Sequence, residues 1–263
     1  MKKAYIILFW FIALSGLVVC MSFVSSTEGE TNCTGVAITI DNNSNFICKD
    51  DLDSMLYHKF GKIKGKSMEY INIPQIENAI RNNPFIEDAQ VYSTIDGHLN
   101  IDVNQRMPLF RVFNSLNQSF YVDDKGSFMP LSDKSTSRVL IVNGNIYDTY
   151  HSRILTRINL NDTLTKGKTL MDTIYTLANR IHNDPFFNAL IQEIYINQDK
   201  EIELIPNIGK QTILIGDISD LDLKFKRLVL FYKNGLNKAG WSTYNYINLK
   251  YNNQIVCIKN KEI

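Results

Sequence analysis

The sequence predicts an α+β protein in three parts: a single N-terminal transmembrane helix, a β-α-α-β-β domain, and a mainly antiparallel β domain with two helices. Three observations predict this order. The chain opens on an uncharged apolar run, residues 34–104 alternate between strand and helix periodicity, and residues 105–263 consist largely of short apolar segments separated by turn residues. With 44% hydrophobic and 21% charged residues, the composition is that of a folded chain.

The charge balance gives no sign of a nucleic-acid partner. The chain carries 28 lysines and arginines against 27 aspartates and glutamates, a formal net charge of +1. Domains that bind nucleic acid present a strong positive field. The sequence therefore points to other classes of partner.

The N-terminal apolar run predicts a membrane anchor. Residues 4–24 hold no charged side chain, and a helix of these 21 residues would be about 31 Å long, the thickness of a bilayer's hydrocarbon core. A cleaved secretory signal has a shorter apolar region, about 7–15 residues. Lys2 and Lys3 favour a cytoplasmic N-terminus. We therefore expect residues 1–3 in the cytoplasm, residues 4–24 in the membrane, and residues 25–33 as a linker to domains outside the cytoplasm.

The pattern of residues 34–104 predicts the order β-α-α-β-β. Apolar residues alternate over residues 36–40 and then recur at helical spacing over residues 50–60. A second helix starts near Ile73. Asn83-Pro84 stops it, because the residue before a proline is pushed out of the helical conformation.

Two strands complete this domain. The first contains Ala89 and Val91, and Asp96-Gly97 predicts a hairpin to the second. In the second strand, apolar and polar residues alternate without a fault over residues 99–104. We expect Leu99, Ile101 and Val103 in the core, and Asn100, Asp102 and Asn104 towards water.

The second domain, residues 105–263, predicts short strands and two helices. The first helix starts at Thr169, which forms a capping pair with Asp172. The second follows Ser219, with Lys224, Lys226, Arg227 and Lys233 mainly on its polar face. Successive antiparallel strands are expected at residues 192–197, 201–205 and 211–215, and a final pair at about residues 243–251 and 254–259.

No motif for catalysis, cofactor binding or metal binding is present. In GKIKGKS, residues 61–67, three residues separate the glycines, whereas a phosphate-binding P-loop has four. We interpret this segment as a basic loop between two helices. The histidines are scattered, without metal-ligand spacing, at His58, His98, His151 and His182. We therefore predict a non-enzymatic protein with no catalytic, cofactor-binding or metal-binding residues.

The cysteines leave two interpretations open. A disulfide between Cys33 and Cys48 is compatible with an oxidising compartment. The alternative is that the cysteines are small buried hydrophobic residues.

The order of these features resembles a known family. The β-α-α-β-β order, Asn83-Pro84-Phe85-Ile86 and Gln105-Arg106-x-Pro108 look like the POTRA domain of the FtsQ/DivIB bacterial cell-division proteins. Phe120-Tyr121-Val122-Asp123-x-x-Gly126 resembles the start of that family's β domain, and Ile247-Asn248-Leu249-Lys250-Tyr251 resembles its end. The resemblance assigns residues 34–104 to the POTRA domain and residues 105–263 to the β domain.

This resemblance implies a non-enzymatic divisome scaffold in the cytoplasmic membrane at the division septum. Such a protein binds two small single-pass partners, FtsB/DivIC-like and FtsL-like, outside the cytoplasm and helps control septal peptidoglycan synthesis. The family's partner-binding segment has a basic residue and a tyrosine before the last strand, which Lys250 and Tyr251 match. The candidate partner-binding residues are therefore Lys250, Tyr251, Asn253, Gln254, Ile255, Val256, Cys257, Ile258 and Lys259.

Departures from the family and alternatives to it stay open at this point. A distal aromatic found in some members is missing at or near Lys259, and the family often has a cytoplasmic tail longer than residues 1–3. Residues 255–258 are all apolar, so the last strand is either an open edge that a partner strand joins or an internal strand between two neighbours. An outer-membrane assembly or secretion component, which can also contain POTRA domains, and an envelope hydrolase are the alternative functions.

Overall fold

The computed structural model describes residues 10–19, 31–41, 44–153, 158 and 169–260. Two compact units divide the chain, Met1–Gln105 and Arg106–Ile263. The first helix, α1, covers residues 10–19, and the rest of the predicted anchor lies outside the described residues. Within the described ranges, no helix combines the length and apolarity needed to cross a bilayer. The transmembrane helix therefore stays a prediction.

The first unit has the predicted β-α-α-β-β order. Its elements are β1 (Gly35–Asp41), α2 (Lys49–Phe60), a 3-10 turn (Met68–Tyr70), α3 (Ile73–Arg81), β2 (Ile86–Ser93) and β3 (His98–Gln105). The sheet order is β1-β3-β2, with β1 parallel and β2 antiparallel to β3. Both edges of this small sheet are therefore formed by strands that have one neighbour.

The core of the first unit confirms the predicted register of β3. Leu99, Ile101 and Val103 are buried, whereas Asp102 is only half-buried. The two helices cover this face of the sheet with apolar stripes that include Leu52, Leu56, Ile76 and Ile80, all buried. The alternating apolar residues of β3 and the helically spaced apolar residues of α2 and α3 thus pack in one core.

The turn at Asn83-Pro84 brings the chain from α3 into β2. The helix ends at Arg81, and the side chain of Asn83 accepts a hydrogen bond from the Phe85 N–H at 3.0 Å. Phe85 stacks on Phe46, with ring centroids 5.6 Å apart, and Ile86 is fully buried. The abrupt stop is therefore followed at once by two apolar side chains, of which Ile86, the first residue of β2, lies in the core.

The second unit contains one nine-stranded sheet in the order β12-β11-β10-β9-β8-β7-β4-β5-β6. The strands are β4 (Pro108–Phe113), β5 (Ser119–Asp123), β6 (Phe128–Met129), β7 (Leu140–Gly144), β8 (Ile191–Ile196), β9 (Ile202–Pro206), β10 (Thr212–Gly216), β11 (Tyr244–Asn248) and β12 (Val256–Lys259). Five neighbouring pairs are antiparallel and three are parallel, so the sheet is mainly antiparallel as predicted.

Helices of the second unit pack on one face of this sheet. They are α4 (Tyr150–Arg153), α5 (Leu170–His182), α6 (Pro185–Leu190), α7 (Leu221–Leu230), a π-helical segment (Phe231–Leu236) and α8 (Asn237–Ala239). The two predicted helices correspond to α5 and α7, and the Thr169–Asp172 capping box is present. The strand β6 and the short helix α6 were not predicted, and both final strands are shorter than expected.

The disulfide between Cys33 and Cys48 does not form in the structure. Cys33 is buried and Cys48 is exposed. The alternative that the cysteines are buried hydrophobic residues therefore holds for Cys33 and is wrong for Cys48.

The motif residues that suggested the family have structural roles. Gln105 is buried in the first unit, and its side-chain oxygen accepts hydrogen bonds from Phe46 N–H and Ile47 N–H at 3.1 and 3.2 Å. In the second unit, the Arg106 guanidinium lies 2.7 Å from the buried carboxylate of Asp123. That carboxylate also accepts hydrogen bonds from two backbone N–H groups in the turn between β5 and β6. These polar groups fix turns that the cores alone would not specify.

We predict that Ile101→Ala lowers the free energy of unfolding of the first unit by about 2–5 kcal/mol, because a fully buried side chain is truncated. Asp102→Ala should change it by less than about 0.5 kcal/mol, since the side chain only accepts a hydrogen bond from the exposed Tyr92 hydroxyl. Denaturant melts of both variants provide the comparison. Equal losses would show that the register is wrong.

Candidate functional site

The last strand, β12, is an open edge of the nine-stranded sheet. It pairs antiparallel with β11, with Ile247 opposite Cys257 and Asn248 opposite Val256. Among the described residues, no strand lies on its other side. In the described part of the chain, β12 is therefore a terminal strand of the sheet and not an internal one. In an antiparallel pair, alternate residues direct N–H and C=O groups away from the neighbour, so β12 presents unpaired backbone groups.

The side chains of the edge segment divide between two faces. Ile255 and Cys257 are half-buried and pack against the core, and this burial raises the pKa of the Cys257 thiol. Val256 and Ile258 are on the other face, with exposed fractions of 40% and 56%. The run of four apolar residues thus combines a core face with an exposed apolar face.

The tip of the hairpin holds the other candidate residues. Tyr251 is 51% exposed, and Asn253, Gln254 and Lys259 are also exposed. Asn253 has a φ of 61°, a left-handed conformation that asparagine tolerates better than most residues. The backbone turn therefore directs several side chains into solvent next to the open edge.

Lys250 differs from its neighbours because it already has an acidic partner. Its ammonium group forms an ion pair with the Glu201 carboxylate, which raises the pKa of Lys250. Its aliphatic stem crosses Gly216, where an added Cβ would lie 2.8 Å from the Lys250 Cγ. Lys250 therefore connects the hairpin to the start of β9 through Glu201 and to the end of β10 through Gly216.

An arginine of α7 fixes the turn between β11 and β12. The Arg227 guanidinium donates hydrogen bonds to the backbone oxygens of Tyr251, Gln254 and Leu249, at 2.5, 3.2 and 3.2 Å. The guanidinium holds its N–H donors on separate nitrogens in a fixed plane, and here Nη1 bonds two of these carbonyls and Nη2 bonds the third. Sequence reasoning placed Arg227 on a polar face, and no sequence signal pointed to a hairpin 22 to 27 residues further along the chain.

The start of α7 is held by a buried lysine. Lys224 is 5% exposed, and its ammonium group lies 2.9 Å from both the carboxylate and the backbone oxygen of Asp217. Hydrogen bonds from Ser219 and Lys224 lower the pKa of Asp217 to about 2. The expected position of Lys224 on the exposed face is wrong, because it falls three residues after Leu221 and four before Leu228, within the stripe that meets the core.

The far end of α7 packs along β11 through aromatic side chains. The helix continues as a π-helical segment and α8 to Ala239. The rings of Phe231 and Tyr244 lie 5.9 Å apart, and burial raises the pKa of Tyr232 to about 12. Both ends of β11 are thus attached to one helix.

Comparisons with known proteins identify the class and then the family. Residues 31–104 match the model of the POTRA-like domain, and residues 107–258 match the model described as FtsQ/DivIB, C-terminal related. The chain is 27% identical to the cell division protein DivIB of Clostridium tetani (strain Massachusetts / E88) over 197 residues, which cover 72% of this chain and 68% of that protein. The chain therefore belongs to the FtsQ/DivIB family.

We predict that Arg227→Lys loosens the tip of the hairpin, because the single ammonium nitrogen cannot occupy both positions from which Nη1 and Nη2 bond the three carbonyls. Backbone amides of residues 249–254 should exchange hydrogen faster, and the free energy of unfolding of the second unit should fall by about 1–3 kcal/mol. Lys226→Ala, at the exposed neighbouring position, is the control and should change neither quantity. Unchanged exchange in Arg227→Lys would show that the turn does not depend on the guanidinium.

Proposed function

We propose that this protein is a non-enzymatic, single-pass scaffold of the divisome. It binds FtsB/DivIC-like and FtsL-like membrane proteins outside the cytoplasm and thereby helps control septal peptidoglycan synthesis. Membership of the FtsQ/DivIB family supports a role in cell division. The observation that carries the proposed mechanism is the open edge of β12.

The partner adds an extended strand to this edge. Its backbone completes the hydrogen bonds that β12 leaves unmade, which provides affinity without requiring a particular sequence. The exposed side chains of Val256 and Ile258 give apolar contacts on one face, and Tyr251 gives an aromatic contact at the tip of the hairpin. Edges of this kind are normally blunted by charge or proline, and β12 has only Lys259 at its far end.

Lys250 acts through charge in this scheme. It is held by Glu201 in the free protein, so an acidic partner residue would share or replace that carboxylate. Because the ion pair is exposed, the exchange costs little free energy. Tyr251 and the β12 side chains therefore contribute more to affinity than Lys250 does.

We predict that Ile258→Asp releases the FtsB/DivIC-like partner in a pull-down of the tagged full-length chain from membranes. A carboxylate on the docked face would be desolvated without a partner, so capture should fall about tenfold or more. Ile208→Asp is the matched control, since Ile208 is 59% exposed and lies in the turn between β9 and β10, which are internal strands of the sheet. Equal capture by both variants would contradict the site.

A second variant tests the backbone rather than the side chains. Lys259→Pro removes an outward N–H of β12, because the next N–H along the chain, that of Asn260, donates to the Thr243 carbonyl on the β11 side. The partner strand should therefore no longer add, while the variant should keep the circular-dichroism signal of the helices. Full retention of the partner by a folded Lys259→Pro variant would place binding elsewhere on the molecule.

We predict that residues 4–24 span the cytoplasmic membrane with the N-terminus inside, because Lys2 and Lys3 precede the uncharged run. A reporter that is active only outside the cytoplasm should work when it is fused after Ile263. Activity of a cytoplasm-only reporter at the same position would overturn this topology. A mature protein that begins near Ser25 would instead identify the run as a cleaved signal.

A further inference from the structure

The two edges of the three-stranded sheet differ in how their backbone groups are satisfied. On β2, the Ala89 carbonyl accepts a hydrogen bond from Arg81 Nε at 3.1 Å, and the Val91 N–H donates to the Glu77 carboxylate at 3.1 Å. Side chains of α3 therefore close the β2 edge. On β1, no group of the described residues other than those of β3 bonds the backbone of residues 36–41. The β1 edge is open.

The chain itself shows that a strand can pair on this side of β1. The Cys33 N–H donates to the Lys66 carbonyl at 2.8 Å, and the Gly65 N–H donates to the Cys33 carbonyl at 2.8 Å. Thr34, the next residue, instead bonds Gly97 on the β3 side. Because the direction alternates along a strand, Ala37 and Thr39 direct their N–H groups to the open side. An incoming strand would pair with β1 on the same side on which residues 65–67 pair with residues 32 and 33.

A cleft of about 410 Å³ lies beside the start of this edge. Val36 of β1, Leu56 of α2 and the buried Ile63 form apolar parts of its wall. Tyr57, 64% exposed, also lines it and offers an aromatic surface. The cleft can therefore accept apolar side chains from a strand that pairs with β1.

The loop that borders the cleft is basic. It is the segment GKIKGKS, residues 61–67, for which the proposed function gives no role. Lys62 and Lys64 line the cleft, both are exposed, and neither has an acidic partner in the described part of the chain. Asp53 and His58 also line it, so the ammonium groups outnumber the carboxylate.

We infer that the open edge of β1, the cleft and the basic loop form a second docking surface, for an extended protein segment that carries acidic side chains. The segment pairs its backbone with β1 and places apolar residues in the cleft. Its carboxylates meet Lys62 and Lys64, which give charge selectivity. This surface belongs to the POTRA-like unit, and its use does not depend on the proposed role of β12.

The test uses the full-length chain, purified in detergent, and two labelled synthetic peptides. One peptide alternates valine with glutamate and the other alternates valine with lysine. Fluorescence anisotropy should show the acidic peptide binding about tenfold or more tightly than the basic one. The double variant Lys62→Glu, Lys64→Glu should remove this preference. The control pair Lys210→Glu, Lys226→Glu makes the same change of charge in the second unit and should retain it.

Further variants separate the alternatives. Thr39→Pro removes an outward N–H and should weaken the acidic peptide about tenfold or more, whereas Thr39→Val keeps the N–H and should bind normally. Lys259→Pro, which removes an outward N–H of β12, should leave this binding unchanged. Loss of binding in Lys259→Pro would show that the peptide occupies β12, and this result would overturn the inference. Equal binding of both peptides would show that the surface has no charge selectivity, and this result would overturn it too. It is also overturned if Lys62→Glu, Lys64→Glu abolishes binding to anionic phospholipid vesicles while peptide binding is unaffected, because the loop would then contact a membrane.

Discussion

The backbone N–H and C=O groups at the edges of the two sheets need hydrogen-bond partners, and this need is the constraint on which the structure depends. A strand with one neighbour has backbone groups that must meet water, a side chain or another chain. The β2 edge meets Arg81 and Glu77 of α3. At the far edge of the larger sheet, β6 is only two residues long and both of its side chains are buried. In the part of the chain that the structure describes, no side chain or further strand covers the edges of β1 and β12.

An open edge is useful only if it is held in place before a partner arrives, since ordering on binding costs affinity. The β12 hairpin is held by Arg227 at its tip and by Lys250 on Glu201. The helix that carries Arg227 is fixed in turn by Lys224 on Asp217. Charged side chains therefore support the edge from behind and leave its backbone groups and its exposed apolar face available.

Much of the fold could be predicted because it follows from local periodicity. Alternation in β3 placed Ile101 in the core, and Thr169 with Asp172 marked the start of α5. The contacts that build the site could not be predicted, because they join residues far apart in the chain, such as Arg227 and Gln254. The burial of Lys224 could not be predicted for the same reason. A basic residue normally lies on an exposed face, and here the oxygens of Asp217 make its burial favourable.

We propose that the outward backbone groups of β12 are unpaired in the free protein and become paired when the partner strand is added. Amide hydrogen exchange along Val256–Lys259, with and without the FtsB/DivIC-like partner, measures this directly. We predict that alternate amides of β12, those directed away from β11, exchange rapidly in the free chain and become protected when the partner binds. Equal exchange at those amides in both states, under conditions in which the partner is bound, would contradict it.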